Sequence, residues 1–560
     1  MNLIFCSSMF YVKEKVECKM RDNVSLKFNK ISCFIFIPLI VQVMFHCTVA
    51  ADGWQPDLGN GEYKNPVLHA DYSDPDVIKV DDDFYMVSSS FNVMPGIPIL
   101  HSKDLVNWEI VGHVYDALPF EKFNKPSHGN GSWAPSIRYH DGLFYVYFCT
   151  PETGLFVATA ETPDGDWTVE QIAEVELWED PTPFWDDDGK AYLIRGKVRA
   201  DILYIHRMSE DGKRLLSDGE VIYKNLERQP VIEGPKVLKR DGYYYIFAPA
   251  GGVRDGWQAV LRSEHIFGPY EDKIILHQGN TDINGPHQGG LVHLDSGEWW
   301  FLHFQEKGIY GRVVHLQPAG WKDGWPFIGI DQNGDGIGEP VDTYTKPDIG
   351  QTHDIIIPQT SDEFNTSNLG LQWQWHANPK SHWYSLNDEK PGHLRLRTVQ
   401  NLTQNGNLRF VGNQLLQKFS SPGFTATTRM TFSPDDESDK AGLVVNGKSW
   451  GYLAMFLNNN KVFLGAFKGH YEQYDDATEL IESVAIKDSS RPIYLRTKVD
   501  ATGLYQFSYS LDNEHYVSIG STLQAEQGVW IGAKIGVFAL SSSVQESQGY
   551  ADFDWFRLND

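Results

Sequence analysis

The sequence predicts an all-β protein in which a five-bladed β-propeller is followed by a β-sandwich. Two observations carry this prediction. A hairpin motif recurs five times between residues 64 and 345, and residues 354 to 560 consist of short alternating strands separated by Asn, Asp and Gly turns. A chain of 560 residues is also longer than one ordinary hydrophobic core requires, so two domains are expected.

The recurring motif is a short apolar strand, an acidic or Asp-Gly turn, and a second strand rich in aromatic residues. Its five copies are DVIKVDDDFYMVSS from Asp76, SIRYHDGLFYVYF from Ser136, TPFWDDDGKAYLI from Thr182, KVLKRDGYYYIF from Lys236 and LVHLDSGEWWFLHF from Leu291. The turns are spaced by about 47 to 59 residues, which is typical of propeller blades. A lone hairpin is marginally stable in water, so each copy needs two further strands and a neighbouring blade.

One position in each copy carries an ionisable or aromatic side chain. About eight residues before the turn acids Asp82, Asp141, Asp188, Asp241 and Asp295, the copies carry in order Asp74, Trp133, Asp180, Glu233 and His287. Equivalent positions of propeller blades are related by rotation about the central axis, so these side chains are predicted to ring that axis. Each acid alone could cap a turn or hold a structural ion, but three together favour a site.

The N-terminal and C-terminal parts of the chain have different sequence patterns. Residues 1–50 are predicted to be a signal peptide, because an apolar stretch follows Lys27 and Lys30 and precedes Ala50 and Ala51. We therefore expect a secreted or periplasmic protein without membrane insertion. The Gly- and Asp-rich stretch 329–347 is interpreted as a linker. The last strand, DFDWFRL, is expected to pair with the chain near Asp362 and close the sandwich.

The amino-acid composition of the chain indicates which class of ligand the protein binds. The net charge of −26 argues against nucleic acid or an anionic membrane and favours a neutral ligand. The 17 Trp and 26 Tyr residues suit sugar rings, which present apolar faces and a rim of hydroxyls. Four of the five cysteines lie in the predicted signal peptide, so only Cys149 remains, and it is expected to be a core residue. We expect a monomer with an oligosaccharide or polysaccharide substrate.

Carboxylates on two sides of a pocket are the minimum for cleaving a glycosidic bond. One must be protonated to donate to the leaving oxygen, and the other must be ionised to attack the sugar or to activate a water. A third nearby carboxylate raises the pKa of the acid by like-charge repulsion. Asp74, Asp180 and Glu233 fit such a trio.

The chain resembles glycoside hydrolase family 43, the β-xylosidases and α-L-arabinofuranosidases, over nearly all of its length after residue 50. The matching stretches are NPVLHADYSDPDV at Asn65, SSSFNVMPGIPILHSKDLVNW at Ser88, WAPSIRYHDGLFYV at Trp133, EDPTPFWDDDGKAYL at Glu179, IEGPKVLKRDGYYY at Ile232 and GRVVHLQPAGWKDGWPFIG at Gly311. The resemblance implies a propeller with a concanavalin-like jelly-roll sandwich, an inverting mechanism, and exo-acting release of terminal α-L-arabinofuranose or β-D-xylose. Our working hypothesis for the substrate is the side chains of plant cell-wall polysaccharides, as in arabinoxylan or xyloglucan.

The resemblance also implies roles for single residues. Asp74 would be the general base, Glu233 the general acid, and Asp180 the residue that tunes and orients the acid. Four further residues are implied near the sugar: Arg312 in contact with it, Phe91 and Trp133 as aromatic walls, and His287 beside the axis. The chain departs from many β-xylosidases at Asn92-Val93, where an acidic residue and Trp are usual, and this leaves arabinofuranose as plausible as xylose.

Other interpretations remain open at this point. A non-catalytic carbohydrate-binding propeller would bind sugar without turnover, and an endo-acting arabinanase or xylanase would release oligosaccharides. No cofactor is required by the chemistry and no metal is expected at the site residues. A structural calcium ion is allowed at two places, the loop from Asp331 to Asp342 and the sandwich near Asp362 and Asp554.

Overall fold

The computed structural model describes residues 53–400, 407–471, 478–543 and 546–559, so the predicted signal peptide lies outside it. Within these residues, five four-stranded antiparallel sheets follow one another in sequence, each with its strands in chain order. The blades are β2 (Asp76–Val80), β3 (Asp83–Val87), β4 (Gly96–Ser102) and β5 (Trp108–Tyr115); β6 (Trp133–His140), β7 (Leu143–Thr150), β8 (Gly154–Ala160) and β9 (Thr168–Ala173); β10 (Trp178–Trp185), β11 (Ala191–Lys197), β12 (Leu203–Met208) and β13 (Glu220–Tyr223); β14 (Lys236–Arg240), β15 (Tyr243–Ala250), β16 (Trp257–Ser263) and β17 (Glu271–Leu276); and β18 (His287–His293), β19 (Trp299–Glu306), β20 (Arg312–Lys322) and β21 (Trp325–Ile328). The predicted five-bladed propeller is confirmed.

The hairpins form because their turn residues accept the backbone conformation that a tight turn requires. Asp141 and Gly142 have φ of 47° and 81°, and Asp241 and Gly242 have φ of 51° and 84°. Two successive positive φ values define the type I′ turn, which Asp-Gly favours and which matches the twist of the flanking strands. The aromatic strands that follow are buried between blades, as at Phe144, Tyr147 and Tyr245.

Strand pairing closes the propeller ring at its two ends. β1 (Glu62–Lys64) pairs with β22 (Thr343–Thr345). The buried Asn65 side chain donates to the carbonyls of Leu316 and Val341, at 2.8 Å each, and accepts from the Leu316 N–H at 2.8 Å. The stretch interpreted as a linker is therefore partly ordered, because it contains β22 and the bridge between Ile330 and Glu339. Its role is to fasten the last blade to the first.

Two packed sheets form the C-terminal domain. The first has the order β23-β27-β36-β29-β30-β31-β32, with β26 beside β36, and the second has the order β24-β25-β37-β28-β33-β34-β35. Their bounds are β23 (Gln374–Trp375), β24 (Tyr384–Leu386), β25 (Leu394–Arg397), β26 (Val399–Gln400), β27 (Gln414–Lys418), β28 (Phe424–Ser433), β29 (Lys440–Asn446), β30 (Ser449–Asn458), β31 (Lys461–His470), β32 (Thr478–Ala485), β33 (Ile493–Val499), β34 (Leu504–Ser510), β35 (Val517–Gln524), β36 (Lys534–Ser541) and β37 (Tyr550–Asn559). Short 3₁₀ helices lie at Glu121–Asn124, Gly308–Tyr310 and Leu408–Phe410.

The sandwich core and its closure agree with the sequence pattern. Alternate residues of both sheets form one buried apolar cluster that includes Leu443, Val537 and Phe553. The expected closing pair is confirmed, since Asp362 and Phe556 exchange backbone hydrogen bonds of 2.8 Å in both directions. Cys149 is free and fully buried, as expected for a core residue. In the described part of the chain, no helix has the length and apolar character to cross a bilayer.

Candidate active site

A backbone irregularity at the start of the innermost strand of each blade directs side chains to one end of the axis. The residues Asp74, Ala134, Asp180, Gly234 and Gln288 all have positive φ, between 33° and 56°. β6, β10 and β18 each show a break in register there. Such a bulge re-aims side chains and is strained for residues other than glycine, which is typical of functional positions.

The strand register corrects the sequence alignment of the five copies by one residue. Trp133 lies opposite Cys149, Glu179 opposite Gly196 and His287 opposite Phe304. The Glu233 N–H donates to Pro249 O at 3.1 Å in the same register. Asp74 and Asp180 thus lie one position later than Trp133, Glu233 and His287. The spacing from the turn acids was misleading because Asp82 and Asp188 lie one residue later in their turns than the acids chosen in the other three blades, counted from the positive-φ residue of each blade.

Asp74 is a buried carboxylate held by two neighbouring blades. It is 6% exposed, and its Oδ1 is 2.6 Å from Nη1 of Arg312. Its Oδ2 accepts a hydrogen bond of 2.6 Å from Ser89 Oγ, which in turn accepts from the Ala134 N–H at 2.7 Å. The ion pair and the hydroxyl fix both carboxylate oxygens.

Asp180 and Glu233 lie in adjacent blades and have different access to solvent. Asp180 is 5% exposed, and its Oδ2 accepts from the Gly234 N–H at 2.6 Å. The Glu233 side chain is 24% exposed, and its Oε1 is 2.7 Å from Nε2 of the buried His287. Glu233 is therefore the carboxyl of this pair that can reach a ligand, while Asp180 supports it from below.

The Asp180 carboxyl group of this cluster has a raised pKa and keeps its proton at neutral pH. Burial first, and then the nearby Glu233 and Asp74 carboxylates, raise the pKa of Asp180 to about 8, against the opposing effect of Lys236 and the Gly234 N–H. Lys236 is itself buried and donates to Ser136 Oγ at 3.0 Å. At neutral pH the site thus combines an ion-paired carboxylate with a carboxyl group that keeps its proton, as acid–base catalysis requires.

The aromatic walls come from two neighbouring blades. The rings of Phe91 and Trp133 meet edge to face with centroids 6.3 Å apart, and Trp133 Nε1 donates to Gly129 O at 2.9 Å. Gly131 lies between them at a φ of 92°, where an added Cβ would be 1.8 Å from Phe91 O, so only glycine fits. Asn92, the departure from the β-xylosidase pattern, donates its side-chain amide to His376 O of the sandwich at 3.2 Å.

The sandwich supplies a residue that the sequence did not reveal. The Trp530 ring lies 5.8 Å from the Arg312 guanidinium and is 49% exposed. Asp71 holds the turn that carries it: Oδ2 accepts from the Gly532 N–H and Oδ1 from the Arg312 N–H, each at 3.0 Å. No local signal identifies Trp530, because it is more than two hundred residues from Arg312 and reaches the site through the packing of the domains.

The structure brings all seven predicted site residues to one end of the propeller, and it adds Asp71, Glu179 and Trp530. The sequence signal for Glu179 is its place directly before Asp180 in the EDP motif. At both places where a calcium ion was expected, an aspartate side chain accepts hydrogen bonds from the protein. Asp331 accepts backbone N–H groups of Gly334 and Gly336, and Asp362 accepts from Phe364, Gly370 and Trp373. Among the residues that the structure covers, no group of three or more His, Cys, Asp or Glu has a metal-binding arrangement. Calcium stays a prediction.

Comparison with known proteins defines the class and then the family. The three acids at the propeller axis have the acid–base pairing that glycosidic bond cleavage needs, and the protein is a glycosidase. Residues 63–326 match the model described as glycosyl hydrolases family 43, and residues 361–559 match the β-xylosidase C-terminal concanavalin A-like domain. The chain belongs to glycosyl hydrolase family 43.

Individual relatives cover both domains. The chain is similar to a putative β-xylosidase of Xylanibacter ruminicola, with 42% identity over 87% of this chain and 88% of the relative. It is 29% identical to the non-reducing end α-L-arabinofuranosidase BoGH43B of Bacteroides ovatus, over 89% of this chain and 95% of the relative. The crystal structure of a xylan β-1,4-xylosidase from Bacillus halodurans C-125 superposes with a TM-score of 0.77 at 25% identity, over 89% of this chain and 100% of that one.

Replacing Trp530 by alanine is expected to raise KM for an aryl glycoside roughly fivefold to tenfold and to leave kcat nearly unchanged, because an aromatic wall binds substrate and transition state alike. Steady-state kinetics measures both constants. Leu511→Ala, at an exposed sandwich position, is the matched control. A fall in kcat at constant KM would show that Trp530 acts in the chemical step instead.

Proposed function

We propose that the protein is an exo-acting, inverting glycoside hydrolase that releases terminal β-D-xylose, α-L-arabinofuranose or both from the side chains of plant cell-wall polysaccharides such as arabinoxylan or xyloglucan, or from the derived oligosaccharides. The single observation that carries this proposal is the meeting of Asp74, Asp180 and Glu233 at one end of the propeller, beside Arg312 and the sandwich residue Trp530. A wall supplied by the second domain favours a pocket for one terminal sugar over an open groove.

Geometry favours a distinct role for each acid. Asp74 is ion-paired to Arg312, so it serves as the base that takes a proton from the attacking water. Glu233 is the partly exposed carboxyl group of the pair and is oriented by His287, so it serves as the acid that protonates the leaving oxygen. Asp180 is fixed by the Gly234 N–H, directly after Glu233 in the chain, so it serves to orient the acid.

The sugar at the non-reducing end lies, on this proposal, between the aromatic residues and Arg312. Phe91 and Trp133 offer apolar faces to the ring, and Trp530 extends this wall from Gly129 to Arg312. The Arg312 guanidinium also lies 4.8 Å from the Phe304 ring, which holds it in place while it binds Asp74 and faces the ligand. The similarity to a relative described as a β-xylosidase and to another described as an α-L-arabinofuranosidase supports testing both sugars.

The test is the release of nitrophenol from the aryl β-D-xylopyranoside and the aryl α-L-arabinofuranoside. We expect turnover of at least one of the two, and the ratio of the kcat/KM values identifies the preferred sugar. Digests of arabinoxylan and xyloglucan should then release only monosaccharide. Oligosaccharide products would indicate an endo-acting enzyme, and sugar binding without any turnover would indicate a binding protein.

Export and assembly complete the proposal. An apolar segment flanked by Lys27, Lys30 and Ala51 supports cleavage of a signal peptide and a secreted or periplasmic location. The N-terminal sequence of the protein purified from culture should begin near Ala51. We propose a monomer, which size-exclusion chromatography with light scattering would test.

A further inference from the structure

Glu179 is a buried carboxyl group without a role in the proposed mechanism. It is 8% exposed and lies directly opposite Gly196 across β10 and β11. No hydrogen bond or ion pair reaches its side chain from residues 53–400, 407–471, 478–543 or 546–559. The side chain is thus largely withdrawn from solvent while its carboxyl oxygens keep their hydrogen-bonding capacity for a ligand.

The strand register shows where Glu179 projects. Trp133 and His287 hold the same register position in their blades, and both meet the site residues directly: Trp133 packs against Phe91, and His287 contacts Glu233. Rotation about the propeller axis therefore places Glu179 on the same rim, in the blade next to that of Glu233. Gly196 leaves room for it, since a Cβ there would be 3.0 Å from Glu179 Cγ and 3.3 Å from its Oε1.

Arg195, the positively charged side chain that acts on Glu179, makes its hydrogen bonds and ring contacts with other residues. The Arg195 guanidinium lies between the rings of Trp178, at 3.6 Å, and Tyr204, at 4.3 Å. It donates to His206 Nε2 and to Gly196 O, at 3.0 Å each. The other charged groups that act on Glu179 are the carboxylates of Asp180, Glu233 and Asp201.

These surroundings keep Glu179 uncharged. Burial, followed by repulsion from Asp180, Glu233 and Asp201, raises its pKa to about 10, and Arg195 opposes this only in part. A protonated carboxyl has one O–H donor and an accepting oxygen, which is what a sugar hydroxyl requires of a partner.

We propose that the Glu179 carboxyl group binds a hydroxyl of the sugar unit on the leaving-group side of the scissile bond, and so determines specificity for that unit. The inference rests on the proposed function, because Glu233 as the acid defines the leaving-group side. The rim position beside Glu233, the burial and the free hydrogen-bonding capacity all agree with it. An aryl leaving group has no hydroxyl for Glu179 to bind, whereas a second sugar unit has several.

The test compares Glu179→Leu and Glu179→Gln on two substrates of the preferred sugar, the nitrophenyl glycoside and the unsubstituted disaccharide. We expect Glu179→Leu to lower kcat/KM for the disaccharide about tenfold and to leave the nitrophenyl glycoside within about twofold, the size of one lost hydrogen bond to a neutral group. Glu179→Gln should keep the disaccharide within about threefold, because an amide also donates and accepts.

Two further variants sharpen the result. Gly196→Ala crowds Glu179 without removing it and should lower disaccharide turnover selectively and to a smaller extent. Glu161→Leu, an exposed acid in another blade, is the control and should behave as wild type. For the nitrophenyl substrate, the pH profile of Glu179→Gln should superpose on that of wild type between about pH 5 and pH 8, because an uncharged group replaces an uncharged group.

The outcomes separate this inference from the proposed function. Equal losses on both substrates, or no loss on the disaccharide, would overturn the role of Glu179 while wild-type turnover still supports a hydrolase. A shifted pH profile would show that Glu179 is charged and would also overturn it. Absence of wild-type turnover on every glycoside would instead refute the proposed function itself.

Discussion

Glu233→Gln should lower kcat for the unsubstituted disaccharide by about a thousandfold and kcat for the nitrophenyl glycoside by less than about tenfold. The general acid contributes most where the leaving oxygen is basic, and a nitrophenolate leaves without a proton. The amide should keep the contact with His287, which lies 2.7 Å from the Glu233 carboxyl, so the pocket keeps its shape. Steady-state kinetics on both substrates measures the difference.

The matched control for this variant is Glu264→Gln, an exposed acid of the same blade as Glu233. It should retain wild-type rates on both substrates. Equal losses for Glu233→Gln on the disaccharide and on the nitrophenyl glycoside would count against its role as the acid, because activated leaving groups should be spared.

Asp74→Asn should lower kcat about a thousandfold or more on every substrate alike, because the attacking water then has no base whatever the leaving group. The change also leaves the buried Arg312 without its carboxylate partner, so some loss of thermal stability is expected. Kinetics on the disaccharide and the nitrophenyl glycoside, with a thermal melt of the same preparation, separates the two effects.

Ser89→Ala is the companion to Asp74→Asn, since it removes the hydrogen bond to Oδ2 but keeps the carboxylate. We expect a loss of roughly tenfold, common to all substrates, because the base remains but is less well fixed. Near-normal turnover by Asp74→Asn in a folded preparation would remove Asp74 as the base.

The buried carboxyl groups at the axis also make the free energy of unfolding depend on pH. The pKa of Asp180 is raised by folding, so its protonated form contributes stability that is fully present below its unfolded-state pKa and is lost as the pH rises through about 8. Glu179 acts in the same direction up to a pH of about 10. The contribution of Asp180 to stability therefore falls as the pH rises from about 4 to about 8, and that of Glu179 continues to fall up to about pH 10.

The sandwich takes part in the site through the domain interface. Met94, in the loop after Phe91, exchanges backbone hydrogen bonds with Trp375. Asp71 joins the turn that carries Trp530 to the strand that begins with Arg312. Because these contacts hold one wall of the pocket, the propeller by itself would have an incomplete site.

Local patterns in the sequence determined the propeller, the sandwich and the trio of carboxylates proposed to act in catalysis. Each hairpin is encoded by residues adjacent in the chain, namely an Asp-Gly turn between alternating strands, and repetition fixes the number of blades. Rotation about the axis then brings Asp74, Asp180 and Glu233 together without further information. Their motifs were also specific enough to indicate the family.

The exact register of the site residues and the contribution of the sandwich to the site were decided only by the tertiary structure. The register at the bulges placed Asp74 and Asp180 one residue later than the repeat spacing implied, because Asp82 and Asp188 lie one residue later in their turns than the acids of the other three blades. Glu179 emerged as a rim residue from the same register. Trp530 reached Arg312 through the packing of two domains, and Asn92 turned toward the sandwich. Contacts between residues hundreds of positions apart depend on how whole sheets pack, and no local sequence pattern encodes them.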